Sequence, residues 1–294
     1  MGRTLVFSFF QGATYGMLGI GLVLVYRASG VLNVAQAEFG TVTAYLTFLF
    51  FEHLGWPYAI SAILSVAAVV VLGLSVERVV VRPLRAASGT TRLLAVTAVA
   101  LLLIAAEVVV AGPDARTLRP AISGAPLDLL GAPIFPQQVL LLGLAALVVA
   151  AAVAFRRSRW GLAFVAMSGD RTAALAAGIS ESDVARLAWG SAALIGAVAG
   201  LLQAPITGLA PAFLTALPGG ALVPALVGAL IGGMEGLVPA FLGGVAVGLI
   251  QGIGAHLLGS HVPGAQDLTV FVLLLVVMAA RPRGWPSLLG RQVA

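Results

Sequence analysis

Along this chain long apolar runs alternate with short polar breaks, at approximately residues 5–25, 31–50, 58–81, 93–111, 137–155, 186–207, 218–234, 238–256 and 267–280. Most of these runs approach the roughly 20 residues a helix needs to cross the hydrocarbon of a bilayer. A helix can make that crossing because it satisfies its backbone polar groups internally. The pattern therefore predicts an all-α, polytopic membrane helical bundle of about 8–9 transmembrane helices, forming one domain over residues 1–294. The first run starts almost at Met1 and is followed by no small-residue cleavage site, so it reads as a retained span. The 218–256 pair is dense in Gly and Pro, which leaves a partly re-entrant course open there.

Composition agrees with the pattern. The chain is 60% hydrophobic and 9% charged, with a mean hydropathy of +1.08, against about 45–50% apolar and a quarter charged in soluble domains. All 16 basic residues are Arg and none is Lys. A Walker A phosphate loop and Schiff-base chemistry both require lysine, so both are excluded. The absence of Cys removes disulfides, thiol nucleophiles and cysteine metal sites. His53, His256 and His261 fall near predicted outer helix ends, too far apart in sequence to argue for a metal, and no cofactor is predicted.

The arginines are unevenly distributed. Alternating sides span by span puts thirteen on one face (Arg27, Arg78, Arg82, Arg85, Arg92, Arg156, Arg157, Arg159, Arg171, Arg186, Arg281, Arg283 and Arg291) and three, Arg3, Arg116 and Arg119, on the other. Cytoplasmic loops carry such an excess. The rule predicts an outer N-terminus, a cytoplasmic C-terminus and nine crossings, and it reads the basic pI as a record of membrane orientation, with no nucleic-acid partner.

Polar residues inside the runs are the candidates for function. In "YRASGVLNVAQAEFG" (26–40), Asn33, Gln36 and Glu38 enter a segment that should be plain hydrocarbon. On a continuous helix Asn33 and Gln36 share a face and Glu38 points about 140° away from Asn33. A carboxylate at depth costs several kcal/mol unless it faces a cavity or a partner, and irregular backbone is tolerated there only where it lines a cavity or is buried in protein. The backbone after Gly30 is therefore expected to begin as a broken segment. Two readings of the polar trio stay open: a gate lining a translocation path, with Gln251 as a further member, or a structural network tying the first two helices. Glu107 reads as a carboxylate snorkelling to the outer interface. The Pro- and Gly-rich segment 112–136 reads as external.

Residues 156–185 form the longest connection on the basic face. "DRTAALAAGI" reads as a short helix beginning at Asp170 and Arg171 and ending at Gly178 in a left-handed C-cap. Ser180-Glu181-Ser182-Asp183 has the spacing of a capping box, with the Ser180 side chain accepting from the Asp183 N–H. The segment is expected either to lie on the membrane surface as a connector or to dock into a groove of another protein.

This segment resembles the coupling loop of ABC-importer permeases, with Asp170, Ala173, Ala174, Gly178 and Ile179 at its core positions, although Asp170 stands farther upstream than the glutamate of the strict motif. "GLVLVYRASGVLNVAQAEFGTVTAY" is similar to the first-to-second-helix signature of LIV-type permeases, the branched-chain amino-acid importers and their amide and urea relatives. Gly30, Leu32, Asn33, Ala35, Ala37 and Glu38 match it, with Gln36 where that family commonly has His. "ALVPALVGALIGGMEGLVPAFLGGVAVGLIQ" resembles the family's Gly-rich region, with Gly232, Gly233, Gly236, Gly243 and Gly244 in register and Met234-Glu235 departing from it.

The resemblance implies a pore-forming subunit, not an enzyme, that pairs with a second permease (a paralogue or itself). It further implies two cytoplasmic ATPase subunits that drive it through Asp170, Arg171, Ala173, Ala174, Gly178 and Ile179, and an extracytoplasmic solute-binding protein that supplies it. Gly243, Gly244 and Gly248, with Gly190, Gly196 and Gly200, would be the small-residue faces on which helices pack and slide. An ion-coupled secondary transporter is the rival class, but it should carry several intramembrane ionisable groups.

Overall fold

The computed structural model describes residues 1–129, 131–215, 220–259 and 261–280. Arg281, Arg283, Arg291 and the C-terminus expected to be cytoplasmic lie outside these residues. The order of helices follows the predicted runs: α1 (Gly2–Ser29), α2 (Gln36–Phe48), α3 (Tyr58–Val76), α4 (Gly89–Ala111), α5 (Pro136–Arg157), α6 (Arg159–Gly169), α7 (Arg171–Ala176), α8 (Glu181–Thr207), α9 (Leu222–Ile231), α10 (Leu237–Leu258) and α11 (Ala265–Ala279). Both α2 and α3 are prolonged by a widened π-type turn, Leu49–His53 and Glu77–Val81. The connection between α4 and α5 is not wholly irregular, since Leu127–Leu129 (β1) and Ala132–Ile134 (β2) pair antiparallel, Leu127 opposite Ile134.

Among the described residues six helices are long and apolar enough to cross a membrane. The other predicted runs form shorter helices, and two of these are interrupted for a reason visible in sequence. Gly30 takes φ 66° and ends α1. Residues 30–35 then run without helix, so α2 starts only at Gln36. Gln36 bonds the carbonyl of Ala192, the twelfth residue of α8, so α2 begins about 16 Å along that helix, at 1.5 Å per residue. The broken entry expected after Gly30 is thus present. The Gly- and Pro-rich run is broken too. Gly208 (φ 89°) ends α8, the chain turns through 209–215 with Ala212 at φ 57°, and α9 resumes with ten residues. Ten residues reach about 15 Å, half the hydrocarbon thickness.

α1 is the axis of the bundle. It packs on α10, α8, α9 and α5, and 89% of its most apolar window is buried inside the protein, against 17–28% for α3, α4 and α5. The cause is a ladder of small residues. Lipid supplies no hydrophobic force between helices, so close backbone contact must supply the association. A Cβ on Gly12 would sit 2.8 Å from the Val245 Cα, and one on Gly244 2.5 Å from the Gly16 Cα. Gly248 meets Gly12 in the same way, Gly243 meets Gly228 between α10 and α9, and Gly200 meets Gly40 between α8 and α2. Both predicted glycine stripes are packing faces. The half in α1, Gly12 and Gly16, was readable as a G-x-x-x-G pair.

Contacts at helix ends sort the chain into two faces. Arg92 at the start of α4 donates to the Ser29 carbonyl at the end of α1 (2.7 Å). Arg27 donates to Ser168 in α6 (2.7 Å) and to the Glu235 carbonyl in the α9–α10 turn. Arg85 reaches Glu181 at the start of α8. On the opposite face Arg119 pairs with Glu52 (3.3 Å), and Arg116 bridges backbone-to-backbone with Leu209 after α8. These contacts put Arg27, Arg85 and Arg92 at one end of the helices and Arg116 and Arg119 at the other, as the sequence pattern expects for these five, with α6 at the arginine-rich end.

Candidate coupling helix and intramembrane polar site

The arginine-rich face carries a short helix fixed at both ends. Asp170 caps α7 by accepting from the Ala173 N–H (3.0 Å). Gly178 at φ 80° closes it, with Gly178 N–H to Leu175 O and Ile179 N–H to Ala174 O, both 3.0 Å. These two bonds are the Schellman pattern that satisfies the last free carbonyls. Ala174 is buried in an apolar cluster that includes Met167, Val184 and Met234, and Ile179 packs against that cluster. Ala173, Leu175, Ala176 and Ala177 are exposed. The helix thus presents a small apolar outer face and is anchored by its inner one.

One expectation at this loop is corrected. The Ser180 side chain does not cap α8, because its hydroxyl pairs with that of Ser182 (3.0 Å), and the Asp183 N–H goes to the Ser180 backbone carbonyl instead (3.2 Å). Sequence spacing fixed the helix start but not which oxygen of Ser180 is used.

Charged side chains connect α7 to the bundle. Arg171 pairs with Glu181 (2.7 Å), Glu181 lies 3.9 Å from Arg85, and Arg85 pairs with the fully buried Glu77 (2.8 Å). An isolated exposed ion pair contributes little. Here the chain of four runs inward from an exposed guanidinium to a buried carboxylate and joins α7, the start of α8 and the end of α3. Glu77 and Arg85 were not singled out in sequence, because eight residues across a helix end have no simple face periodicity. Arg27 makes a second junction, its guanidinium lying 5.5 Å over the Phe164 ring of α6 while it holds Ser168 and the α9–α10 turn.

Inside the bundle the polar residues divide into two groups. Asn33 donates to the Gln36 Oε1 (3.1 Å), and the Gln36 Nε2 donates to the Ala192 carbonyl (2.8 Å). A Cβ on Gly21 would collide with the Gln36 amide, and one on Gly196 would stand 3.1 Å from its nitrogen. Glycines on α1 and α8 therefore make the slot that holds this amide. Gln251 accepts from the Tyr15 hydroxyl (2.8 Å), and Thr14 donates to Gln203 (3.0 Å), which ties α1 to α10 and to α8.

Glu38 belongs to the second group. It is fully buried, and its carboxyl adjoins that of Glu107 and the hydroxyls of Thr41 and Thr215. Neither Glu38 oxygen makes a geometrically sound hydrogen bond, and Glu107 Oε1, Thr41 Oγ1, Thr215 Oγ1 and the Tyr45 hydroxyl are likewise unpartnered. The snorkelling expected of Glu107 is overturned. Its residue is only 5% exposed, and its Oε2 accepts the Ala212 N–H (3.0 Å) from the irregular segment that follows α8. The sequence signal lay in Ala212's neighbourhood: a Gly- and Pro-punctuated break needs acceptors for its freed N–H groups.

Comparison with known proteins decides the family. Residues 4–280 match the family described as "Branched-chain amino acid transport system / permease component". The chain belongs to this family. The permease is 27% identical to the high-affinity branched-chain amino acid transport system permease protein BraD of Pseudomonas aeruginosa, over 95% of this chain and 92% of that protein. It is 26% identical to the corresponding LivH of Escherichia coli K12, with the same coverage. Its fold is shared with a solved structure of PsaBC from Streptococcus pneumoniae in complex with Fab, at a TM-score of 0.50, 14% identity, and 96% of this chain against 91% of that one. It is accordingly a multi-pass membrane permease.

Proposed function

We propose that this permease is the membrane subunit of an ABC importer for branched-chain amino acids or closely related small polar solutes. The observation that carries the proposal is α7, doubly capped, apolar on its outer face and linked inward by Arg171–Glu181–Arg85–Glu77. In this reading the arginine-rich face is cytoplasmic, and two ATPase subunits receive α7 and the equivalent helix of a second permease. A solute-binding protein docks on the opposite face near the β1–β2 hairpin. Closure of the ATPases shifts α7, and the shift passes along α8 and α3 as a shear of packed helices. Asn33, Gln36, Glu38 and Gln251 lie along the translocation path, at the broken start of α2 and on α10. The subunit catalyses nothing itself, and nucleotide hydrolysis belongs to its partners. The relatives named BraD and LivH support the substrate class, since their names specify branched-chain amino acids.

The test is uptake of L-leucine into proteoliposomes holding the permease with its ATPase and binding-protein partners. Uptake is expected to require ATP and to vanish when the ATPase is inactivated. Uptake driven by an ion gradient in vesicles holding the permease alone would favour a secondary carrier instead.

A further inference from the structure

α1, α5 and α8 form a groove of about 370 Å³ whose lining side chains are all apolar except Ser191. Ala152 and Ala188 are buried in it, while Leu147 and Leu194 at its rim are 62% and 45% exposed. The groove therefore opens on the outer surface of the bundle. It follows α5 from Phe155 back to Leu144 and α8 from Leu187 to Val198. At 1.5 Å per residue each of those stretches rises about 16 Å, one leaflet's share of a hydrocarbon core roughly 30 Å thick. A partner helix lying alongside would need an apolar seat over the whole span. A single acyl chain needs one leaflet.

The groove starts at the arginine-rich end. One turn beyond Ala152, on the same face of α5, stands Arg156, and one turn beyond Leu24 on α1 stands Arg27. These two guanidiniums are close enough for their charges to repel. Arg27 is occupied by Ser168 and the Glu235 carbonyl, and Arg186 at the start of α8 is answered by Asp183. Arg156 and Arg157 are exposed and have no hydrogen-bond or ion-pair partner among the described residues. A guanidinium fork matches phosphate oxygens two at a time. Unpaired arginines at the mouth of a leaflet-deep apolar groove complement a phosphate joined to a fatty chain, a pairing seen wherever basic pockets between membrane helices take acidic head groups.

We propose that this permease holds an anionic diacyl phospholipid, with one acyl chain in the α1–α5–α8 groove and its phosphate on Arg156 and Arg157. The phosphate stands where α5 gives way to α6, the helix that Arg27 holds through Ser168, and it screens Arg27 from Arg156 at that junction. The site requires that the chain span a bilayer and is independent of what meets α7.

The test uses the assembled importer in nanodiscs of phosphatidylcholine with a trace of photoreactive lipid, its diazirine midway along one acyl chain. Phosphatidylglycerol and phosphatidylcholine probes bearing the same chain are compared, and adducts are mapped by peptide mass spectrometry. Adducts on 144–155 and 187–198 are expected to be at least about tenfold more abundant from the phosphatidylglycerol probe. Arg156→Gln with Arg157→Gln should bring them down to the phosphatidylcholine level. Arg78→Gln with Arg82→Gln, a pair of exposed arginines elsewhere on the chain, should leave the ratio unchanged.

Equal yields from the two probes would overturn the site. So would adducts equally dense around Leu94 of α4, 64% exposed near the arginine-rich end, since that is the pattern of unselected annular lipid. A ratio that survives in the Arg156/Arg157 variant, or falls as far in the Arg78/Arg82 variant, would remove the phosphate from its assigned place. A groove free of lipid adducts would give that face to the second permease. The probe ratio and the Leu94 comparison need no variant, so poor assembly of either double variant leaves the decision intact.

Discussion

Leu175→Asp is expected to leave the permease in the membrane at its normal level while lowering ATP-driven uptake at least about tenfold. Leu175 is 46% exposed on α7, next to the buried Ala174 that anchors the helix. The bundle does not use this side chain in its core, so replacing it should not unfold the protein, and surface changes away from packing usually cost under about 0.5 kcal/mol. A partner groove does use it. Desolvating a carboxylate in an apolar groove without a counter-charge costs several kcal/mol, and about 1.4 kcal/mol already gives a tenfold weaker association. Leu175→Met, similar in volume and polarity, should retain most uptake. The checks are membrane abundance by immunoblot and initial uptake rate in the same cells. Normal uptake by Leu175→Asp would mean that the outer face of α7 meets no partner.

The second large effect falls on assembly. Gly200→Leu should prevent accumulation of folded protein, whereas Gly143→Leu should be neutral. A Cβ at Gly200 would overlap backbone atoms of Gly40, and Gly40 cannot retreat because α2 is fixed at its first residue by Gln36 bonding to Ala192. Overpacking typically costs about 1–3 kcal/mol where side chains can yield. Here backbone meets backbone, and α2 would have to leave α8. Around Gly143, on α5, nothing lies within 4 Å of a Cβ. Yield of monodisperse protein and its thermal midpoint in mild detergent distinguish the two. A Gly200→Leu protein as stable as the parent would contradict the close α2–α8 crossing.

The runs of apolar residues made the helices legible, because helix formation in lipid is compelled by backbone satisfaction and leaves a long one-dimensional trace. The broken start of α2 was legible for the same reason, since Gly30 and the polar trio violate that trace. The capped α7 was readable from Asp170 and Gly178, whose roles are local. What escaped was long-range. That α1 is the axis depends on which glycine faces which, Gly16 on Gly244 and Gly12 on Gly248, and Glu107 was misjudged because the groups it meets, the Ala212 N–H and the Glu38 carboxyl, are 105 and 69 residues away in sequence. Position within a span suggested an easy exit to the interface. The folded segment 208–215 instead covers the carboxylate and uses it. The Ser180 misreading is smaller in kind, two oxygens of one residue competing for one N–H.

Transport in this mechanism depends on a nucleotide-driven partner gripping α7. The most direct measurement places a photocrosslinking side chain at Leu175 in the assembled importer, in sealed proteoliposomes of known orientation, with and without ATP. An adduct with the ATPase subunit is expected, formed on the ATP-accessible side, with a yield that changes when nucleotide is bound and hydrolysed. Adducts with lipid or binding protein alone, in an importer that is transporting, would mean that no ATPase grips α7.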